Sequence, residues 1–138
     1  MSNLLSCVVA ATVTITENQA CAFTGGASNE IRVAIAGEEA VFAGFAVSGG
    51  TDGEIIAVRR SGVGPFITSA SLVAADVNAP LQLAAAGRLQ KALPTQKHVA
   101  RFLPARMFGG QGGALSSSDP DTITAGNFGR CEIEKGVM

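Results

Sequence analysis

Tryptophan and tyrosine are absent from this 138-residue chain, and seven phenylalanines are its only aromatic residues. The large amphipathic rings that dominate sugar-stacking surfaces and many binding hot spots are therefore missing. Charged residues are scarce at 15%, whereas apolar residues make up 47%. Disordered chains combine low hydrophobicity with high net charge, and the net charge here is only −1. The composition therefore predicts one compact domain.

Long apolar runs are lacking as well. No stretch reaches the roughly 18 consecutive apolar residues that a membrane-spanning helix needs. The apolar stretch near the N-terminus has no basic residue before it, and the first one in the chain is Arg32. We therefore expect no secretory signal, no membrane partner, and synthesis in a cytoplasm.

Metal-binding and nucleophilic residues are few. The chain has one histidine, His98, and three widely spaced cysteines, Cys7, Cys21 and Cys131. No Cys-x-x-Cys spacing occurs, so zinc binding is not expected, and the thiols are predicted to be small core residues. An active site that pairs His98 with a cysteine stays open as an alternative.

Signals for binding phosphate groups are also missing. The glycine-rich segments at 49–53 and 109–113 lack the Gly-Lys-Ser/Thr ending of a nucleotide-binding loop. The net charge and the few rings among the basic residues argue against a nucleic-acid partner. No catalytic, cofactor-binding or metal-binding residue is predicted. The adjacent acids Glu38 and Glu39 are interpreted as a solvated turn.

The charges that are present are distributed unevenly. Residues 1–58 contain six acidic residues and one arginine, whereas residues 59–118 contain seven basic residues and one aspartate. Such an asymmetry can steer association between complementary surfaces, including those of two copies of the chain. Alternatively, strands from the two halves interleave in one fold and the charges mix on its surface.

Short alternating segments predict the fold. Val13 and Ile15 alternate with threonines, and Ile31, Val33 and Ile35 alternate with smaller or polar residues, which is the period of a half-buried strand. Turn residues recur about every ten positions, as in sandwiches and small barrels. We therefore predict an all-β fold, a small β-sandwich or β-barrel with at most one short helix, over Ser71–Val77, and extended terminal arms.

Three regions follow from these patterns. Residues 1–12 are predicted to form an N-terminal arm or first strand, and residues 13–104 a compact β domain. Residues 105–138, which begin rich in glycine and serine, are predicted to form a C-terminal arm. The apolar residues near the C-terminus either return to the domain as a late strand or dock on another subunit.

The order of segments within Ile31–Leu93 resembles the capsid decoration, or cement, proteins of tailed bacteriophages. The resemblance rests on GEEAVFAG at 37–44, GEIIAV at 53–58 and AAAGRL at 84–89. It implies a non-enzymatic structural protein that is made in the host cytoplasm. In the virion, many copies would bind the outer surface of the phage head and stabilise the shell. The implied partners are the major capsid protein and further copies of the chain, as a homotrimer.

The terminal arms are the predicted contact regions, with Arg101–Met138 first and Met1–Cys7 second. Within the first region, the residues expected to contact the capsid or another subunit are Arg101, Arg106, Phe108, Ile123, Phe128 and Ile133. Two alternatives remain open. One is a small enzyme or carrier domain that uses His98 or a cysteine, and the other is a structural subunit of a different viral or bacterial assembly.

Overall fold

The computed structural model describes residues 4–93, 95–103 and 122–136. Strands account for 52% of the structure and helical turns for 7%, which confirms the all-β prediction. The helical residues of the described part form three short 3₁₀ turns, at Glu39–Val41, Ala74–Asp76 and Ala85–Gly87.

The first half of the chain forms a barrel lobe. Its strands are β1 (Leu4–Val9), β2 (Thr14–Ile15), β3 (Ala20–Phe23), β4 (Glu30–Val33), β5 (Phe42–Ala46), β6 (Gly50–Thr51) and β7 (Ile55–Arg59). Five of them form a closed barrel in the order β1-β4-β3-β5-β7, and β7 pairs antiparallel with β1 to complete it. Strands β2 and β6 form a separate pair.

The second half forms a sheet lobe. Its strands are β8 (Val63–Ile67), β9 (Leu72–Val73), β10 (Pro80–Leu83), β11 (Leu89–Lys91), β12 (His98–Leu103), β13 (Thr122–Ile123) and β14 (Phe128–Gly136). Five of them form a sheet in the order β11-β10-β12-β14-β8, and β9 pairs with β13. A parallel bridge between Thr68 and Leu89 joins the two edges of this sheet. The barrel is closed, so its strands offer few free edges to a partner, whereas the five-stranded sheet is open apart from this one bridge.

Two apolar clusters hold the lobes together. One fills the barrel and includes Ala43 and Ala46 of β5. The other lies between the barrel and the sheet, and it takes Phe42 and Phe45 from the same strand. Every residue of β5 is buried, since one of its faces lines the barrel and the other packs against the sheet lobe. The strand therefore reads as a continuous apolar run instead of an alternating one.

This topology corrects two predictions, the extent of the C-terminal arm and the helix over Ser71–Val77. Residues 122–136 of the expected C-terminal arm belong to the β domain, where β14 lies inside the sheet between β12 and the edge strand β8. The late-strand alternative therefore holds for this segment, whereas residues 104–121 and 137–138 lie outside the described residues. The helix expected over Ser71–Val77 is replaced by β9 and one 3₁₀ turn, because Leu72 and Val73 pair with β13.

The adjacent acids of the 38–39 turn have different environments. Glu38 forms an ion pair with Arg32, which lowers the pKa of the Glu38 carboxyl. Glu39 is only 4% exposed, and its Oε2 accepts a hydrogen bond of 2.9 Å from the backbone N–H of Leu83. The interpretation of both residues as solvated was thus wrong for Glu39, which links the barrel to β10 of the sheet lobe.

We predict that Glu39→Ala lowers the free energy of unfolding by about 1–3 kcal/mol, because it leaves the buried N–H of Leu83 without an acceptor. Urea denaturation followed by circular dichroism measures this loss. Glu17→Ala, at an exposed position, is the control and should change stability by less than about 0.5 kcal/mol. Equal effects of the two substitutions would contradict a linking role for Glu39.

Candidate interaction surface

Of the six predicted contact residues, the structure describes four, and two of these four pack in the core. Ile123 is 4% exposed and belongs to the cluster between the lobes, which corrects the expectation that it contacts a partner. Ile133 is partly buried and packs against the same cluster. Arg106 and Phe108 lie outside the described residues. Of the two predictions for the apolar residues near the C-terminus, a late strand of the same domain is therefore the one that applies to Ile123 and Ile133.

The other two, Arg101 and Phe128, lie on the outer face of the five-stranded sheet. Phe128 is 48% exposed and opposite Ile67 of β8. Arg101 donates from Nη2 to Oε2 of Glu134 at 2.7 Å, across the β12–β14 pair. We call this the sheet face. It combines an apolar end around Phe128 with a charged end around Arg101, and both can contact a protein partner.

A second exposed surface runs along the outside of the barrel, where β1 and β7 pair. Val8 lies opposite Ile55, and the backbone N–H of Val47 donates to the carbonyl of Ala57 at 2.9 Å. Ile55 is 71% exposed and Val47 is 43% exposed. We call these four residues the barrel strip. The sequence pattern did not reveal it, because Ile55 and Ile56 are both apolar and only the register decides which of them faces outwards.

Arg59 lies at the junction of the two lobes, beside a cleft of about 270 Å³. Its guanidinium donates to the backbone carbonyls of Gly62 and Pro65 at 3.3 and 3.2 Å, so it covers part of the outer edge of β8. Its Cζ lies 5.1 Å from the centre of the Phe45 ring, which is cation–π geometry. Gly64 provides the space, since a Cβ at that position would be 2.5 Å from the same Cζ.

A second cavity, of about 280 Å³, lies beside His98, the residue that the alternative active site would pair with a cysteine. It is lined by Asn78, Pro80, His98, Arg101 and Glu134. His98 Nδ1 lies 3.1 Å from the carbonyl oxygen of Gln96. On β14, the residue opposite His98 is Gly136, whereas Cys131 lies opposite Phe102. That separation along the strand is roughly 16 Å at 3.3 Å per residue, so His98 and Cys131 do not form a pair.

The three cysteines are buried, as predicted for core residues. Burial raises the pKa of Cys131 to about 12, against a smaller opposite effect of the Arg59 guanidinium. Burial also raises the pKa of Cys21 to about 12, with a further contribution from nearby Cys7, whose own pKa is raised for the same reason. At neutral pH all three thiols are protonated, and a protonated thiol is a poor nucleophile and metal ligand.

The described residues contain no group of three or more His, Cys, Asp or Glu side chains placed to hold a metal ion. In the same part of the chain, no helix has the length and apolar character required to cross a membrane.

The fold is shared with a solved phage structure. It is similar to the crystal structure of the N base of the head fiber protein gp8.5 of bacteriophage phi29, with a TM-score of 0.64 and 12% sequence identity. The similarity covers 95% of this chain and 94% of that one, so it includes both lobes. No protein-family model matches the chain, and no curated protein matches it in sequence.

We predict that Arg59→Ala lowers the free energy of unfolding by about 2 kcal/mol, because it removes two charge-assisted hydrogen bonds and the contact with Phe45. Gly64→Ala should also destabilise, since its methyl group displaces the guanidinium. In the double variant the methyl group has room, so the combined loss should be smaller than the sum of the two single losses. Urea denaturation of all four proteins measures this coupling, and additive losses would contradict it.

We also predict that iodoacetamide does not modify the native protein at pH 8, where about one in ten thousand thiols with a pKa near 12 is ionised. All three cysteines should react once urea unfolds the chain. Mass spectrometry of the two samples counts the modified residues. Rapid modification of native Cys131 would overturn this assignment and restore a nucleophilic cysteine as a candidate.

Proposed function

We propose that this chain is a structural protein of a phage head, a decoration protein that binds the outer surface of the capsid in many copies. The observation that carries the proposal is the fold similarity to the N base of a phage head fiber protein, which extends over both lobes. The proposed decoration role is also the one expected from the resemblance of segments within Ile31–Leu93 to phage cement proteins.

The architecture is consistent with such a role. The closed barrel leaves few strand edges open, and Arg59 covers part of the edge of β8, which limits association through strand pairing before assembly. Contacts with a capsid would then come from faces and loops. Many weak contacts made at once stabilise a shell through multivalency, with no requirement for an active site.

The sheet face is the part of the described structure that we assign to the capsid. It carries Phe128 as an exposed aromatic anchor, with Arg101 and Glu134 as an ion pair that can exchange partners on binding. Aromatic and arginine side chains are the residue types that most often dominate protein interfaces. The protein would be made in the host cytoplasm and located in the virion, without catalytic activity, and a homotrimer is the proposed oligomer.

Co-sedimentation with capsids tests the proposal. The major capsid protein encoded in the same genome is assembled into shells, and the purified chain is added at increasing concentration. We expect saturable binding at a fixed number of copies per shell. The absence of a capsid gene from that genome, or the absence of binding to mature shells, would refute the proposed function.

Phe128→Ser tests the assigned face in the same assay. Loss of the exposed ring should weaken binding to shells by at least about tenfold, because burying an aromatic side chain on binding contributes more than about 1.4 kcal/mol. Ile35→Ser, at a residue that is 52% exposed on the barrel lobe, is the matched control and should bind as the original protein does. Equal binding by all three proteins would exclude the sheet face while leaving the function itself intact.

A further inference from the structure

The charge asymmetry of the sequence becomes a division between the two lobes. Residues 4–60, the barrel lobe with the arginine that follows β7, contain six acidic residues and three arginines. The described residues from Val63 onwards, the sheet lobe, contain six basic residues and three acidic ones. All strand pairs of the described residues join strands of the same lobe, so the alternative of interleaved halves is excluded.

The two most exposed large apolar side chains of the described residues lie on opposite lobes. Ile55, on the barrel strip, is 71% exposed, and Leu93, in the loop between β11 and β12, is 64% exposed. Backbone hydrogen bonding keeps Leu93 in place, because its N–H donates to Oε1 of Gln96 and its carbonyl accepts from the Gln96 N–H, both at 2.9 Å. Ile55 belongs to a contiguous apolar surface with Val8, Val47 and Ala57, and contiguous exposed apolar surfaces mark contact sites.

The charges around these two side chains are complementary. The acidic residues Glu30, Asp52 and Glu54 border the barrel strip, with Glu30 opposite Val8 in the β1–β4 pair. Two lysines, Lys91 and Lys97, flank the loop of Leu93. Lys91 forms an ion pair of 2.7 Å with Asp76 of the same lobe, so the basic character of the loop rests mainly on Lys97. An apolar surface with an acidic border thus has its counterpart, an apolar projection with basic neighbours, on the other lobe of the same molecule.

We infer that copies of this chain associate head to tail, with the Leu93 loop of one copy on the barrel strip of the next. The contact joins two different surfaces, so it generates a ring when the rotation closes. The inference concerns contacts between copies and does not depend on what else the protein binds.

Sedimentation velocity of the purified full-length chain, without capsids, tests the inference. We expect a discrete oligomer whose population rises with concentration. Ile55→Ser and Leu93→Ser should each raise the dissociation constant by at least about tenfold. Val73→Ser, at an exposed valine outside both surfaces, is the control and should leave it unchanged. A strictly monomeric chain, or an oligomer indifferent to both substitutions, would overturn the inference.

Mixing the two variants distinguishes a head-to-tail contact from a symmetric one. Ile55→Ser retains an intact Leu93 loop and Leu93→Ser retains an intact barrel strip, so an equimolar mixture should form a one-to-one complex. Neither variant alone should do so. Failure of the mixture to associate, when the original protein does, would rule out contact between these two surfaces.

Reversal of charges on the two surfaces is a further test of the head-to-tail contact. Asp52→Lys and Lys97→Asp should each weaken association, and the doubly substituted chain should recover it because the opposite charges are exchanged. Both side chains are exposed, so folding is not at risk. If the double variant associates no better than the single ones, the proposed complementarity is wrong. If these charge reversals abolished capsid binding but left self-association unchanged, the barrel strip would be a capsid contact and the inference would be refuted.

Discussion

The packing of β5 between the barrel and the sheet lobe is the constraint on which the rest of the structure depends. Phe45 fills the space between the lobes, and the Arg59 guanidinium covers its ring while it binds the carbonyls of Gly62 and Pro65. Because one strand serves both cores, the lobes cannot change their relative position without exposing apolar surface or uncovering buried polar groups. The sheet face and the barrel strip are therefore presented in one fixed arrangement.

Fixed geometry matters for the proposed structural role, in which surfaces of the protein bind partners. The buried thiols have raised pKa values, and the cavity beside His98 does not contain Cys131, so these groups support the fold. The proposed role rests on the exposed apolar and charged side chains. Their division between an acidic and a basic lobe makes the two ends of the molecule electrostatically different, and the proposed assembly with like copies or with a shell can use this difference.

Much of the fold could be predicted from local patterns, and the failures have physical reasons. The alternation at Ile31 and Val33 correctly indicated a strand, because one face of β4 meets the core and the other is only half buried. Leu72 and Val73 were assigned to a helix, since a short apolar run does not distinguish the two structures. Glu39 was missed because its partner, the Leu83 N–H, is 44 residues away and has no sequence signal.

The sequence by itself determined the fold class, the burial of the cysteines and the separation of charge, because composition and period depend only on the order of residues. Tertiary structure alone decided where the C-terminal strand lies and which apolar residues remain exposed. Ile123 and Phe128 are similar in sequence context, yet one is buried beside Leu72 and the other lies outside opposite Ile67. Strand register makes that choice, and it is set by pairing between segments more than 50 residues apart.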